Sequence, residues 1–155
     1  GYAQMIATTT KLNTPGPDLA ALPGVHALTD VTGFGLAGHA LELARGARCT
    51  VELDWRAAPL LPGVRALAAR GFVTGASGRN WAGYGDDVDL PDGFAPEDRA
   101  LLTDPQTSGG LLVACAPAAL DAVLATFRRH GFDAAAPVGE VLSASVDRPV
   151  GLHVS

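Results

Sequence analysis

The stretch HALTDVTGFGLAGHALELA, residues 26–44, constrains the fold more than any other part of the chain. Residues 25–28 predict a short strand, which breaks at Asp30. Two glycines follow, and an Ala/Leu-rich helical pattern then runs over residues 36–44, with Gly46 just past its end. A carboxylate that ends a strand and precedes a helix N-terminus is typical of ligand sites in α/β proteins. Aspartate is also common in turns and helix caps. Gly35, where the helix opens, lies five positions after Asp30, which argues against a simple cap. The residues alone favour a turn role over a ligand role, and the function of Asp30 stays open at this point.

Strands and helices alternate along the chain, with an irregular middle and paired strands at the end. The remaining predicted strands span residues 49–55, 110–116, 136–142 and 150–154. The remaining predicted helices span residues 60–71, 96–102 and 117–131. This order predicts an α+β fold, in which a mixed β-sheet is flanked by α-helices. The last helix has the clearest apolar stripe, which is expected to pack on the sheet and consists of Leu120, Val123, Leu124 and Phe127.

Two segments lie outside this pattern. Residues 14–24 are rich in proline and glycine and predict a linker or irregular turn. Residues 72–95 are rich in glycine and aspartate, and we expect the loop from about Thr74 to Gly93 to be mobile, because such residues provide little apolar area to hold it down. The aspartates between residues 86 and 92 predict a solvated acidic turn. We expect residues 1–13 to be the tail of an interdomain segment, so that the domain proper spans residues 14–155.

Charge and apolar content exclude several classes of function. The net charge is −5 and no cluster of Lys or Arg is present, which argues against nucleic-acid binding and against a basic membrane-binding face. No apolar run reaches the roughly 18–20 residues of a membrane span, and we expect a cytoplasmic protein. Cys49 and Cys115 are expected to be buried thiols rather than a disulfide or a zinc site. The four histidines lack metal-ligand spacing and are expected to be structural or surface groups.

Two further stretches carry candidate binding groups. In TDPQTSGG, residues 103–110, hydroxyls and accessible backbone N–H groups precede an apolar strand. That pattern fits a phosphate-binding loop as well as an ordinary strand-entry turn. In GASGRNWAGYG, residues 75–85, Arg79 is suited to a phosphate and Asn80 to a polar group, although a solvated flexible loop is slightly favoured. Neither stretch identifies a function by itself.

Taken together, the motifs resemble a known family. TDVTGFGLAGH, LPGV, GRNWAGYG, LLTDPQTSGGLLVA and a late VGEV occur in the order and rough spacing of selenophosphate synthetase (selenide, water dikinase). The combination of TDVTGFG and DPQTSGG in one chain is specific. From about Leu12 to Val154 the chain resembles the C-terminal domain of that enzyme, and hence the superfamily typified by aminoimidazole ribonucleotide synthetase.

The resemblance implies an ATP-dependent phosphotransferase that makes selenophosphate from selenide and ATP and releases AMP and phosphate. It implies Mg²⁺ as cofactor, and Asp30 falls on the aspartate that this domain contributes as a metal ligand. The N-terminal domain, which contains the ATP site and a catalytic Cys or selenocysteine, has no counterpart in this sequence. We therefore expect no catalytic residue in this chain, an inactive isolated chain, and partnership with its own N-terminal domain in a full-length protein that forms a homodimer.

Within these motifs we also expect a set of residues to lie near the substrate phosphates. These are Thr29, Thr32, Gly33, Arg79, Asn80, Asp104, Thr107, Ser108 and Gly109. Two other interpretations remain open. In the first, the chain is a domain of another superfamily enzyme, with thiamine-phosphate or purine-precursor chemistry. In the second, it is a non-catalytic binding domain that retains the fold.

Overall fold

The computed structural model describes all 155 residues, which form seven α-helices and six β-strands. The helices are α1 (Tyr2–Thr9), α2 (Gly16–Ala20), α3 (Gly35–Ala47), α4 (Val64–Ala69), α5 (Gly75–Tyr84), α6 (Pro96–Leu102) and α7 (Leu120–Arg129). The strands are β1 (Val25–Asp30), β2 (Cys49–Leu53), β3 (Val88–Asp89), β4 (Leu111–Cys115), β5 (Gly139–Ser143) and β6 (Gly151–Val154). No helix is both long enough and apolar enough to cross a lipid bilayer.

The strands form two sheets. In one, β1 pairs with β4 in antiparallel orientation; in the other the strand order is β3-β6-β2-β5, and β6 runs parallel to both of its neighbours. The predicted α+β class with mixed strand directions is confirmed, but the expectation of one sheet is wrong. Apolar periodicity indicates which face of a strand is buried, yet it does not specify which strand is the neighbour, and the division into two sheets is therefore not written in the pattern.

The larger core lies between α3 and the four-stranded sheet. The inner face of α3 consists largely of small residues, and Ala37, Ala40 and Ala44 are at most 1% exposed. Small side chains allow a helix axis to approach a sheet closely, so α3 is held rigidly over the sheet. Leu41 and Leu152, both fully buried, fill the space between them.

A smaller core lies beside the two-stranded sheet and involves α2 and α7. Val123 and Phe127 of α7 are buried together with Leu19 of α2, as the predicted stripe requires. Leu120 and Leu124 are half-buried. The proline-rich segment before β1 is therefore not only an irregular linker, since it contains a short helix that closes this second core.

Several boundaries differ from the sequence-based expectations. Helix α3 continues past Gly46 to Ala47, and the left-handed residue at its C-terminus is Arg48, with φ = 52°. Strand β1 extends to Asp30, which pairs with Leu111 of β4. These corrections matter for the site, because they make Asp30 the last residue of a strand rather than part of the following turn.

The largest correction concerns residues 75–84, which form helix α5 instead of a mobile loop. The Thr74 side chain caps this helix by accepting the backbone N–H of Ser77 at 3.2 Å. Trp81 lies beneath the Arg99 guanidinium, with 5.2 Å between the cation and the ring centroid. Glycine disfavours a helix by about 1 kcal/mol per residue, but a cap and tertiary contacts outweigh that preference here.

Two smaller expectations also change. Cys49 and Cys115 are free thiols, as predicted, but they are half-buried rather than buried. The aspartates after α5 are exposed, but the turn is not merely solvated. Asp87 forms an ion pair with Arg45, and Asp89 lies 3.5 Å from the His153 ring. The proposed boundary near residue 13 stays a prediction; residues 2–9 form a helix none of whose residues is buried.

We predict that Gly109→Ala severely destabilises the fold, whereas Gly110→Ala does not. A Cβ atom at Gly109 would lie 1.8 Å from the Val31 carbonyl oxygen, while one at Gly110 would have no neighbour within 4 Å. The free energy of unfolding, measured by urea denaturation, should fall by about 3 kcal/mol for Gly109→Ala, the upper end of typical overpacking effects. It should change by less than about 0.5 kcal/mol for Gly110→Ala. Equal effects of the two variants would contradict the close contact.

Candidate functional site

Three segments that the sequence separates meet in one place, which we call the junction. They are residues 29–35 at the end of β1, residues 104–110 before β4, and helix α5. The Val31 N–H donates to the Gly110 carbonyl at 2.9 Å, and the Gln106 N–H donates to the Thr32 carbonyl at 3.0 Å. The two glycine-containing loops therefore continue the pairing of β1 with β4 beyond the strand ends.

Helix α5 is attached to the junction by two side chains. The Asn80 amide donates to the Gly33 carbonyl at 2.9 Å and to the Thr103 carbonyl at 3.0 Å, so one side chain connects the loop after β1 with the C-terminal end of α6. The Tyr84 hydroxyl donates to the Phe34 carbonyl at 2.5 Å. Asn80 was predicted to lie near substrate phosphates, and the structure shows both of its amide hydrogens directed at backbone oxygens.

The backbone at the start of α3 is also held tightly. Gly35 has φ = +70°, and a Cβ atom there would lie 2.6 Å from the Thr103 carbonyl carbon. Glycine is required at this point both for its conformation and for the close approach of the two backbones. The second glycine of TGFG therefore has a structural role.

Asp104 anchors the other end of α5. Its Oδ1 accepts the Thr74 hydroxyl at 2.9 Å and lies 3.2 Å from the hydroxyl of the buried Ser77. The Ser77 hydroxyl is also 2.9 Å from the Ala100 carbonyl oxygen. Asp104 thus fixes the cap of α5 from within the loop that precedes β4.

Asp30 differs from these residues. It is exposed at the end of β1, and its carboxylate has no hydrogen-bond or ion-pair partner in the structure. The first turn of α3 has no side-chain cap. The turn role, which the residues alone favoured, is therefore wrong for Asp30, because it is the last paired residue of β1 and its side chain accepts no hydrogen bond; its role as a metal ligand stays a prediction.

The other predicted residues differ in whether their polar groups have a partner within the protein. Thr29 is half-buried and its hydroxyl donates to the Asp30 carbonyl at 3.1 Å. Thr107 and Ser108 have hydroxyls without a protein partner, and Thr107 is exposed. Arg79 is exposed without an ion pair and lines a groove of about 330 Å³. The side chains with free polar groups are thus Asp30 at the end of β1, Thr107 and Ser108 on the loop before β4, and Arg79 on α5.

The residues of this chain do not form a complete metal site by themselves. No group of three or more His, Cys, Asp or Glu side chains is positioned to hold a metal ion. Mg²⁺ in phosphoryl-transfer enzymes commonly binds through one or two carboxylates, with substrate phosphates and water completing the octahedron. A single exposed, unpartnered carboxylate fits one position of such a shared site.

Tyr84 is a half-buried ionisable group at the junction. Burial raises the pKa of Tyr84 to about 12, although a hydrogen bond from the Gly38 N–H lowers it slightly. The phenol therefore remains a hydrogen-bond donor to Phe34 at all physiological pH values.

Sequence reasoning missed three residues that matter at the junction: His39, Ser77 and Tyr84. His39 is 6% exposed and contacts Thr32 and Glu42. The i, i+3 spacing of His39 and Glu42 was the available signal, since such residues face each other on a helix. Thr74 and Ser77, separated by three positions, likewise match the spacing of an N-terminal helix cap.

We predict that alkaline unfolding of the chain depends on Tyr84. An unfolded tyrosine ionises near pH 10, whereas Tyr84 in the fold ionises near pH 12, so the unfolded state loses its proton first. The contribution is fully present below about pH 10 and is lost as the pH rises towards 12. The free energy of unfolding should fall more steeply in this range for the native chain than for Tyr84→Phe. A tyrosinate absorbance titration in which the difference between the two proteins has its midpoint near pH 10 would contradict the burial.

Comparison with known proteins defines the family. The family model of the AIR synthase related protein, C-terminal domain, matches residues 7–150. A protein of Burkholderia ambifaria named "Selenide, water dikinase" is 69% identical over 155 residues, which is 100% of this chain and 43% of that protein. A protein of the same name from Rhizobium meliloti is 56% identical over 138 residues, covering 89% of this chain and 40% of its own length.

Solved structures show the same fold. HypE of E. coli, described as a hydrogenase maturation protein, superposes with a TM-score of 0.63 at 22% identity and covers 91% of this chain and 35% of its own. A structure of HypE in complex with ATP gives a TM-score of 0.62 at 20% identity, covering 93% of this chain and 37% of its own. The chain spans about two fifths of the length of the curated relatives it matches. By its match over residues 7–150, the chain belongs to the family of AIR synthase related protein C-terminal domains.

Proposed function

We propose that this chain is the C-terminal domain of an ATP-dependent phosphotransferase that makes selenophosphate from selenide and ATP, releasing AMP and phosphate. The identity of 69% over the whole chain to a protein named "Selenide, water dikinase" supports this activity. The proposal applies to a full-length protein, because the chain matches only 43% of that relative. We expect the 155-residue chain alone to be inactive.

The observation that carries the proposal at the level of residues is the free carboxylate of Asp30. It lies at the end of β1, exposed, where the two loops of the junction meet. The neighbouring polar groups of Asn80 and Asp104 are occupied by protein partners. An unpaired carboxylate beside hydrogen-bonded neighbours is suited to binding an ion that this chain does not otherwise hold. We assign Asp30 as a ligand of Mg²⁺.

Other groups of the chain are suited to the phosphates of ATP. Thr107 and Ser108 offer free hydroxyls on the loop next to Asp30, and Arg79 offers a free cation on α5. Mg²⁺ bound at this site would neutralise charge on the phosphate oxygens as a phosphoryl group departs. The chain itself binds and orients: one carboxylate takes the metal, and hydroxyl and guanidinium groups take phosphate oxygens.

The remaining parts of the site belong, in this proposal, to an N-terminal domain of the same protein. That domain supplies the ATP site and the catalytic nucleophile, and the full-length protein forms a homodimer. A cytoplasmic location agrees with the two free thiols, which persist in reducing compartments.

We predict that Asp30→Asn in the full-length enzyme lowers turnover and raises the Mg²⁺ concentration needed for half-maximal activity by at least about tenfold. Even residues that only support a metal ligand commonly contribute 10- to 100-fold to metal affinity, so loss of a ligand should cost no less. The melting temperature should hardly change, because the Asp30 side chain is exposed and makes no hydrogen bond or ion pair that Asn would lose. The measurement is turnover as a function of Mg²⁺ concentration, with melting curves of both proteins.

The matched control is Asp147→Asn. Asp147 is also exposed, without a side-chain partner, in the turn between β5 and β6. It should leave turnover and the Mg²⁺ requirement unchanged. If Asp30→Asn behaves like Asp147→Asn, Asp30 is not a metal ligand and the assignment fails.

A further inference from the structure

His39 is a buried histidine whose two ring nitrogens both have partners. It lies in the first half of α3 and is only 6% exposed. Its Nδ1 is 2.9 Å from Glu42 Oε2, and its Nε2 is 3.2 Å from the Thr32 hydroxyl. The Phe34 ring covers it, with 5.7 Å between ring centroids. The ring has therefore little freedom to turn.

The partners determine where the proton of a neutral ring resides. A carboxylate only accepts hydrogen bonds, so Nδ1 must carry the hydrogen that Glu42 accepts. In the neutral ring Nε2 is then an acceptor, and the Thr32 hydroxyl donates to it. The lone pairs of the Thr32 oxygen are consequently turned away from His39.

Thr32 is also held by its backbone. Its carbonyl oxygen accepts the Gln106 N–H at 3.0 Å and the Gly35 N–H at 3.1 Å. Thr32 is thus fixed to α3 through its side chain and to the loop of residues 104–110 through its main chain. It lies two residues after Asp30, so the direction in which β1 ends depends on these bonds.

We propose that Glu42, His39 and Thr32 form a hydrogen-bonded chain that positions the end of β1 with Asp30, and that the neutral form of the His39 ring carries its hydrogen on Nδ1. His39 and Glu42 are positioning residues, since neither contacts Asp30. The hydrogen bonds among Glu42, His39 and Thr32 do not depend on the proposed function. Their effect on Mg²⁺ binding at Asp30 rests on it. A ligand needs its position fixed to within about 0.5 Å, which a glycine-containing loop does not provide unaided.

The structure contains an internal comparison. His130 also lies between a carboxylate and a threonine, but in the opposite sense: Nε2 is 2.9 Å from Asp18 Oδ2, and Nδ1 is 3.0 Å from the Thr14 hydroxyl. The same reasoning gives His130 the Nε2–H tautomer. The two histidines should therefore be opposite tautomers in one protein.

The first experiment is ¹⁵N NMR of the imidazole rings in the labelled chain, at mildly alkaline pH where an unperturbed imidazole is neutral. Substitution of His39 and His130 in turn assigns their signals among the four histidines. We expect protonation at Nδ1 for His39 and at Nε2 for His130. Protonation of His39 at Nε2, or a mixture of tautomers, overturns the proposal.

Glu42→Ala and Thr32→Val test the two ends of the hydrogen-bonded chain. Glu42 is half-exposed, so its removal should leave the fold intact and release His39 to a mixture of tautomers. Thr32→Val removes the donor to Nε2 and should shift the His39 Nε2 signal while leaving His130 unchanged. Thr32→Ser retains the hydroxyl and should retain the native signal. If neither Glu42→Ala nor Thr32→Val changes the ¹⁵N signals of the His39 ring, the proposal is contradicted.

The second experiment measures turnover against Mg²⁺ in the full-length enzyme. Thr32→Val and Glu42→Ala should raise the Mg²⁺ requirement about tenfold, as residues that support a metal ligand do. Thr32→Ser should restore the native response, and Thr14→Val, the matched control at His130, should not alter it. If Asp30→Asn raises the requirement but Thr32→Val lowers only the melting temperature, the positioning role is overturned. If Asp30→Asn has no effect while the tautomers are as expected, the proposed metal role fails and the hydrogen-bonded chain remains.

Discussion

The contact between the Gly109 backbone and the Val31 carbonyl oxygen is the constraint on which the junction depends. It brings the loop of residues 104–110 against the end of β1 so closely that no side chain fits between them. The N–H of Val31 and the carbonyl of Gly110 then pair as in a sheet. Because the strands continue into the loops in this way, two segments that are about 75 positions apart in sequence form one rigid surface, with Asp30 at its edge.

Hydrogen bonding separates the residues that build this surface from those free to bind a ligand. Asn80, Asp104 and Thr32 were all candidates for contact with phosphate, and each is used in bonds within the protein. Asp30 carries the opposite signature, since an exposed carboxylate without a partner gains nothing from its position in the folded chain. Its side chain is therefore available to the Mg²⁺ ion that we propose to bind there.

Much of the fold can be predicted from the sequence, and the predictions that were wrong have physical causes. Residues 96–102 were predicted as a helix from a proline followed by acidic residues, and α6 has these limits. Helix α5 was missed because its stability comes from Thr74, Asn80 and Tyr84, whose partners lie elsewhere in the chain. The glycines of this segment predict a loop when only neighbouring residues are considered. The contacts that stabilise the helix join it to residues distant in the sequence. The motif containing Asp30 was found from the sequence, but only the structure shows that the Asp30 carboxylate has no partner.

Helix α3 connects the core to the site. Its inner face is fixed by buried alanines against the four-stranded sheet. At Gly38, a Cβ atom would lie 2.4 Å from Phe34 Cβ and 3.1 Å from the Tyr84 ring, so the helix receives both aromatic side chains without an intervening group. His39, the next residue, holds Thr32. One rigid helix thus supports the loop from two adjacent positions, and the packing of the core sets the direction in which β1 presents Asp30. Substitutions in the α3 core should therefore act on the site through geometry, without any contact with a ligand.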